Sequence, residues 1–472
     1  MAGRRTGPVP VTAPMETLSE VRHRKVLGPW QAATVVVGMV VGAGIFRSAS
    51  GVAQMLDSGP MLLLAWGAGG LFALAGAFTY AELASSFPHP GGDYRFLREA
   101  FGPGAAFLFA WSRFSVIFTA SGALLAFVAA DYLSQIVPLS EPGKAGVAAL
   151  AVVGLTAVNL RGLRFGAGGQ AVLVTLDILA LLSLGAAAVW LIAHGTPSLT
   201  PMMTAAAKAG AEQPLSPAAL GRFGAAMVFI MLAYGGFNDA ATLSAEVKGP
   251  KDMTLAMVGG MGVVTLLYLL ANWAYLRGLG LAGLARSDAP AADLMRLAFG
   301  PAGQVAMVVF VCTAALAVLN ALVIVGGRTL YAAASDEPAL ARLAEWDEGR
   351  GVPRMAIWTQ TGMTLLLIGW GAVTGRGFSA MVDFLSPVFW LFLTLTGLAL
   401  VVLRRTRPDQ VRPYRVPLFP LTPLVFAAGS AAVLMSSIGY VGAVGCALSF
   451  GMLALGLVLR TGLRWWAGRR RA

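Results

Sequence analysis

Charged residues are scarce in this sequence. Only 12% of its 472 residues are Asp, Glu, Lys or Arg, whereas 57% are hydrophobic, and the mean hydropathy is +0.74. A chain with so few charges cannot supply the surface of a water-soluble protein of ordinary composition. The composition therefore excludes the usual soluble classes and indicates a polytopic membrane protein.

Histidine and cysteine are also rare. The three histidines, His23, His89 and His194, lie in different regions, and Cys312 and Cys446 lie in apolar runs. No His, Cys or carboxylate group has metal-ligand spacing, and the chain has no G-x-x-x-x-G-K-[ST] loop for a nucleotide. We therefore expect no metal, no cofactor, no enzyme active site and no ATPase of its own.

Long apolar runs make up most of the chain. A hydrocarbon core about 30 Å thick needs roughly 20 apolar residues per helix. About twelve runs qualify, at 30–50, 60–86, 104–134, 145–160, 168–193, 222–245, 254–280, 301–327, 355–374, 379–403, 418–438 and 440–460. We expect an all-α membrane protein with a cytoplasmic tail at 1–28, a ten-helix core at 29–403, and helices 11 and 12 with a basic C-terminus at 404–472. The tail has no apolar core of its own, so it is not typical of a signal peptide.

The basic residues predict the orientation. If both termini lie on one side, that side collects 25 of the 34 Lys and Arg residues against 8 on the other, and Arg113 lies within a span. The positive-inside rule then places both termini in the cytoplasm. The net charge of +12 therefore reflects topology and contact with anionic lipids of the cytoplasmic (inner) membrane, and it does not predict nucleic-acid binding.

Two of the runs are interrupted by glycine. The first contains VVGMVVGAGIFRSAS from Val36 to Ser50, and the sixth contains MLAYGGFNDAATLSAEVKGPKD from Met231. Lipid tolerates a broken helix only where the break lines a protected cavity. Paired breaks at corresponding positions of two halves indicate a midplane site of the leucine-transporter type. We therefore expect two inverted repeats of five helices, at 29–193 and 222–403, with helices 1 and 6 discontinuous.

Half-helix ends suit a zwitterion. Free N–H groups carry partial positive charge and free carbonyls carry partial negative charge. We expect the carboxylate of an amino acid to lie on the N–H groups around the first break, and its ammonium on the carbonyls around the second. The predicted contact residues are Gly42, Ala43, Gly44, Ile45, Leu232, Ala233, Tyr234, Gly235, Gly236, Phe237 and Asn238. The alternative role for these glycines is helix packing. For Gly38, which lies earlier in the first run, packing is the favoured role.

Three segments resemble a known family. VGAGIFRSAS, YAELASSFPHPGGDYRFLREAFGP and AYGGFNDAATLSAEVKGP are similar to the amino acid-polyamine-organocation transporters, and the likeness is nearest to bacterial and L-type amino acid permeases. The resemblance implies a five-plus-five fold, amino acid transport by alternating access, and substrate contacts at 42–45 and 233–237. Many relatives carry a gating aromatic where this chain has Leu232, so we expect Tyr234 or Phe237 to take over part of that role.

Ionisable residues inside spans are functional candidates. We expect a structural Glu82–Arg113 pair. Asp239 either faces the pocket or caps the second half of helix 6. Several relatives carry Lys at the position of Asp177, which leads to the hypothesis that Asp177 holds a coupling proton or cation beside Thr313 and the span 1 carbonyls. The alternative is a structural Asp177 that is protonated or paired with Arg113.

The sequence thus favours a secondary active transporter of amino acids that is coupled to H+ or Na+, or that runs by exchange. One alternative is a polyamine or cationic amino acid antiporter, which calls for several pocket carboxylates. An alternative of another class is a membrane-embedded amino acid sensor without flux. The transported side chain cannot be assigned, because buried membrane helices are apolar all round.

Overall fold

The computed structural model of the protein describes residues 28–89, 91–161, 167–194, 217–335 and 338–469. All named elements in these ranges are helices. The α-helices are α1 (Pro29–Val40), α2 (Ile45–Met55), α3 (Gly59–Ser86), α4 (Asp93–Phe101), α5 (Pro103–Ser112), α6 (Thr119–Leu133), α7 (Glu141–Leu160), α8 (Ala167–Ala193), α9 (Pro217–Ala233), α10 (Phe237–Ala240), α11 (Pro250–Arg286), α12 (Pro290–Ser335), α13 (Arg354–Thr374), α14 (Gly377–Thr406) and α15 (Leu421–Arg469). A π-helix spans Arg113–Phe118, and 3-10 helices span Ala241–Ala245 and Pro338–Ala344. The predicted tail, apart from Gly28, lies outside the described residues.

Most of these helices can cross a membrane. In the described ranges, nine are long and apolar enough, or ten if the bent pair α1 and α2 counts as one span. Helix α15 is 49 residues long, is kinked at Gly442, and covers the last two predicted runs from Leu421 onward. Helix α13 coincides with the predicted run at 355–374 but is not among the nine. The all-α polytopic fold is confirmed, whereas the count of twelve stays a prediction.

The two predicted helix breaks are present. Helix α1 ends at Val40 and α2 begins at Ile45, with a bend of 51° between them. Helix α9 ends at Ala233 and α10 begins at Phe237. The inverted repeat that would relate these two breaks stays a prediction.

A short amphipathic helix marks one side of the bundle. Helix α4 follows the end of α3, precedes α5, and packs against α14. We call the side of the bundle on which α4 lies the α4 side, and the other the opposite side. Span 3 is formed by α5, the π-helix and α6 together. A π-helical turn is widened relative to an α-helix and is frequent at functional sites, and this one begins at Arg113.

A buried ion cluster holds the opposite side together. Arg47 of α2 contacts Asp131 of α6 at 3.3 Å and Asp288, which precedes α12, at 2.8 Å. Lys144 of α7 contacts Asp131 at 3.2 Å and Glu141 at 2.9 Å. The side chains of Arg47, Asp131 and Lys144 are about nine-tenths buried. These contacts join three helices and the loop before a fourth at this end of the bundle.

A second ion cluster lies on the α4 side around Glu82. This carboxylate is fully buried, accepts hydrogen bonds from Arg404 Nε at 2.8 Å and from the Val416 N–H at 2.6 Å, and lies 3.6 Å from Arg412. The predicted Glu82–Arg113 pair is therefore wrong. Glu82 fixes the end of α14 and the loop after it, because those segments bring two arginines and a free N–H to its two oxygens.

Candidate functional site

The first break exposes backbone donors. Among the described residues, the N–H groups of Gly42, Ala43 and Gly44 donate to no acceptor, whereas the Gly44 carbonyl already accepts from Arg47 and Ser48 in the first turn of α2. A Cβ built at Gly44 would meet no atom within 4 Å. Free N–H groups beside open space at the start of a half-helix form an anion-binding arrangement.

The second break exposes backbone acceptors. Within the described ranges, the carbonyls of Tyr234 and Gly235 accept no hydrogen bond. Gly236 has φ +106, which favours glycine, and a Cβ there would overlap the backbone carbonyl of Met39 at the end of α1. The lack of a side chain at Gly236 thus lets the second break lie directly against the last turn of α1, where the first break begins.

Tyr268 of α11 connects the two half-helix ends. Its fully buried hydroxyl lies 3.0 Å from the Val40 carbonyl and 3.0 Å from the Ala233 carbonyl. These carbonyls are the last residues of α1 and α9, where helices leave their C=O groups unpaired. Tyr268 therefore caps both helices, and it leaves the two carbonyls after Ala233 as the free acceptors.

We expect Tyr268→Phe to lower the free energy of unfolding by about 1–3 kcal/mol, because two buried carbonyls lose their donor. Thermal unfolding of the purified protein measures this loss. The matched control is Tyr275→Phe on the same helix, because the buried Tyr275 hydroxyl has no partner among the described residues. An equal loss of unfolding free energy in both variants would show that the Tyr268 hydroxyl does not stabilise the fold through these two hydrogen bonds.

The expected gating side chains point elsewhere. The Tyr234 hydroxyl donates to the Trp66 carbonyl of α3 at 3.1 Å, and the Phe237 ring packs edge-on against Tyr80. Both residues are buried in the contact with α3. The aromatic residue beside the break is Phe389 of α14, whose ring lies 3.6 Å from a Cβ built at Gly235.

Asp177 and Thr313 are not brought together. Asp177 of α8 is buried, its Oδ1 has no partner among the described residues, and its charge is close enough to interact with Tyr268. Thr313 is exposed on α12, and its hydroxyl donates to the Val309 carbonyl one turn earlier. No hydrogen bond among the described residues therefore joins Asp177 to Thr313.

Arg113 pairs with Asp239. Its guanidinium lies 2.8 Å from Asp239 Oδ1, over the Phe118 ring at 4.4 Å and the Phe109 ring at 5.5 Å. A guanidinium over aromatic faces is stabilised by the ring quadrupoles. Arg113 is thus not the partner of Asp177, and Asp239 faces an intramembrane arginine rather than acting only as a helix cap.

A small cavity, with room for about one water molecule, adjoins this pair on the α4 side. The residues that line it come from α4, span 3, the α10 segment and α14, and they are Asp93, Phe109, Arg113, Ile117, Asn238, Asp239, Phe389, Phe392 and Leu393. Asp93 is 3% exposed. Burial, with a smaller contribution from the nearby Asp239 charge, raises the pKa of its carboxyl to about 6, while hydrogen bonds with Tyr80 and Thr396 and the charge of Arg113 oppose the shift.

We expect Asp93 to make stability depend on pH. Its folded pKa of about 6 lies above the ordinary 3.8, so the folded chain binds this proton more tightly than the unfolded chain. The free energy of unfolding should therefore fall as pH rises from 4 to above 6. The difference in thermal stability between wild type and Asp93→Asn, measured across that range, isolates this contribution, and a constant difference would contradict it.

Three residues of this site, Tyr268, Phe389 and Asp93, could hardly be found from the sequence. Tyr268 and Phe389 are aromatic residues in apolar runs, where aromatics are common. Asp93 follows two glycines in a segment that predicts an interfacial turn. The one sequence signal for the Arg113–Asp239 pair was the presence of both residues in apolar runs. Unpaired charges inside a membrane are costly, so an intramembrane cation and anion are expected to pair with each other.

Comparisons with known proteins agree with this architecture. A sequence model of the family described as Amino acid permease matches residues 27–459. The b(0,+)-type amino acid transporter 1 of Mus musculus is 28% identical over 403 residues, which cover 84% of this chain and 79% of the relative. The cystine/glutamate transporter of Homo sapiens is 28% identical over 394 residues, 82% of this chain and 75% of the relative. The large neutral amino acids transporter small subunit 2 of Mus musculus is 28% identical over 414 residues, which cover 86% of this chain and 76% of the relative.

Proposed function

Because this chain belongs to the amino acid permease family, we propose that it carries amino acids across the membrane by alternating access at the two helix breaks. The observation that carries the proposal is the pairing of free donors at Gly42 to Gly44 with free acceptors at Tyr234 and Gly235. The donors take the α-carboxylate and the acceptors take the α-ammonium. Ile45, Leu232 and Asn238 flank these groups.

We assign the α4 side to the cytoplasm and the chain to the cytoplasmic membrane. The bias of Lys and Arg toward the termini and the loop after α14 supports this orientation. Cysteine labelling tests it in intact cells. A label near Gln410 should be protected from an external reagent while one near Gln213 reacts, and the reverse pattern would invert the topology.

The transport proposal is tested by pairing binding with flux. A thermal-shift screen against the common amino acids finds ligands, because a ligand at 100 times its dissociation constant stabilises by about 2.7 kcal/mol. Uptake of each ligand into proteoliposomes then measures transport. Binding without flux would favour the sensor. Selective uptake of lysine, arginine or polyamines would favour the cationic antiporter.

The proposal extends to coupling through Asp177. Its buried Oδ1 without a partner, and its place one turn after Val174, whose side chain lies against Gly38 of α1, support a role in holding a proton or cation near the breaks. We expect Asp177→Asn to retain substrate exchange but to lose accumulation driven by an ion gradient. Proteoliposome uptake with a proton gradient and a sodium gradient in turn measures this loss.

The matched control for Asp177 is Asp57→Asn. Asp57 is exposed, lies between α2 and α3, and pairs with Arg222 at the start of α9. If Asp177→Asn concentrates substrate as steeply as this control and the wild type, Asp177 is structural. The energy source, H+ or Na+ gradient or exchange, then lies elsewhere, while transport itself stands.

A further inference from the structure

Three charged residues on the α4 side share one small cavity. Asp93 of α4, Arg113 of the π-helix and Asp239 of α10 all line it, and it has room for about one water molecule. Arg113 lies 2.8 Å from Asp239 Oδ1, and the charges of both residues act on the Asp93 carboxyl. We call these three residues the Asp93 cluster. They connect α4, span 3 and the segment that follows the second break.

The Asp93 cluster contains two carboxyl groups and one guanidinium. Arg113 and Asp239 compensate each other, so an ionised Asp93 adds one negative charge without a counter-charge of its own. Asp93 is 3% exposed, whereas the Asp239 side chain is 37% exposed. An uncompensated buried charge is costly, and a carboxyl group avoids that cost by binding a proton. Charge balance therefore favours one proton on the cluster, and burial favours Asp93 as its position.

Two hydroxyl groups stabilise the Asp93 carboxyl in either protonation state. Tyr80 of α3 and Thr396 of α14 are buried, and both form hydrogen bonds with it. A hydroxyl donates to a carboxylate oxygen, and it can also accept from the O–H of a carboxylic acid. Burial outweighs these bonds and raises the pKa of Asp93 to about 6. The proton can therefore bind and leave near neutral pH.

Charged and titratable groups face Asp93 from the elements packed around it. Those outside α4 are Tyr80 from α3, Arg113 from the π-helix and Asp239 from α10, while α14 contributes the Thr396 hydroxyl, which does not titrate. On α4 itself, Arg95 and Glu99 pair with each other at 2.8 Å. Tyrosine and arginine keep their charge states between pH 5 and pH 7. Within the cluster, the two aspartates are therefore the groups that can take up a proton in that range.

We propose that the Asp93 cluster is a proton-binding site, in which Asp93 holds a proton while the α4 side is closed and releases it to water when that side opens. Opening moves α10 away from α4 and span 3, so that water reaches Asp93 and stabilises its ionised form. Protons on the α4 side therefore favour closure. The inference rests on the proposed function only for the opening itself, and this proton is separate from any proton at Asp177.

Spin-label distances test the link between the proton and closure. Labels replace Arg98 on α4 and Lys248 after α10, both exposed, in purified full-length chain with Cys312 and Cys446 changed to Ser. The pKa of Asp93 is about 6 when buried and 3.8 when ordinarily exposed. The ratio of the short to the long distance should therefore rise about tenfold from pH 7 to pH 5. A change below about twofold overturns the link.

Two substitutions in the cluster should remove this response. Asp93→Asn resembles the protonated residue, so the closed form should be favoured equally at both pH values. In Asp239→Asn, Arg113 can compensate Asp93 instead, so the cluster is neutral without a proton and the response should fall below about twofold. If Asp93→Asn does not fold, Asp239→Asn decides the test. A tenfold response that persists in either variant overturns the proposal.

Two control variants should keep the full response. Asp57→Asn alters an exposed ion pair outside the cluster. His89→Asn removes a histidine in the turn before α4, which matters because histidine titrates in the same pH range. His89 Nδ1 accepts from the Gly91 N–H at 2.9 Å, and an asparagine oxygen can accept the same bond. Loss of the response in His89→Asn would assign the proton to His89 and overturn the role of Asp93.

Infrared difference spectra between pH 5 and pH 7 locate the proton. Wild type should show a carboxylic acid band at pH 5 that is missing from Asp93→Asn, and Asp57→Asn should retain it. Identical spectra of wild type and Asp93→Asn overturn the inference even where transport is normal. A band at Asp93 with a pH-dependent distance, in a chain without any flux, supports the inference and contradicts only the transport function.

Discussion

Gly44→Val should fold normally and lose amino acid binding by at least about a hundredfold, which is about 2.7 kcal/mol. A Cβ at Gly44 meets no protein atom within 4 Å, so a side chain at this position begins in open space and we expect the variant to fold. The same valine occupies the space beside the free N–H groups of Gly42 to Gly44, where the carboxylate is proposed to bind. A thermal-shift titration with the best ligand from the screen measures the loss.

Two other glycines provide the comparison for Gly44. A Cβ at Gly38 would overlap the Val174 side chain, so Gly38→Ala should lower thermal stability and leave the affinity of the folded fraction unchanged. A Cβ at Gly235 already lies 3.0 Å from the Leu232 carbonyl, so Gly235→Val disturbs the fold as well as the site. Unaltered affinity in folded Gly44→Val would assign all of these glycines to packing.

Glu82→Gln should lower the free energy of unfolding by about 3–5 kcal/mol. Removal of one partner from a buried ion cluster leaves the other charges uncompensated, and here Arg404 and Arg412 would both lose the carboxylate that they face. Thermal unfolding measures the effect. Asp57→Asn is the control, because the Asp57–Arg222 pair is exposed and should contribute about 0–1 kcal/mol.

A second variant tests whether charge is the cause. In Glu82→Gln with Arg404→Gln, one of the uncompensated cations is removed, so part of the stability should return. If Glu82→Gln is as stable as Asp57→Asn, the carboxylate is not needed to hold the end of α14. The hydrogen bond from the Val416 N–H would then be sufficient for that role.

Composition and glycine placement predicted the fold class and both breaks. The breaks were predictable because GAGIF and AYGGF place glycine and polar residues inside apolar runs, and lipid allows such a pattern only at a protected site. The role of Gly236 was less visible. Position 236 needs glycine because a side chain there would overlap the backbone of Met39. Met39 is remote from Gly236 in the sequence, so no local sequence pattern reveals this contact.

Partners across helices could not be read from the sequence. Depth in the membrane suggested that Glu82 and Arg113 could meet, since both lie toward the same side. Depth does not fix the direction in which each side chain points, because an apolar helix gives no periodicity from which to find its inner face. The π-helix adds to this difficulty, since it alters the rotation of span 3 at Arg113 itself.

The shared hydrogen bonding at Tyr268 has a mechanical consequence. The Tyr268 hydroxyl is shared by the last carbonyls of α1 and α9. If those two half-helices separate, one of these buried carbonyls therefore loses its hydrogen-bond donor. A rocking motion in which α1, α9 and α11 move as one rigid body keeps both hydrogen bonds. A motion that tilts α1 by itself breaks one of them. Distances between spin labels on α1 and α9 should therefore stay constant over the transport cycle, while distances from either helix to α6 change.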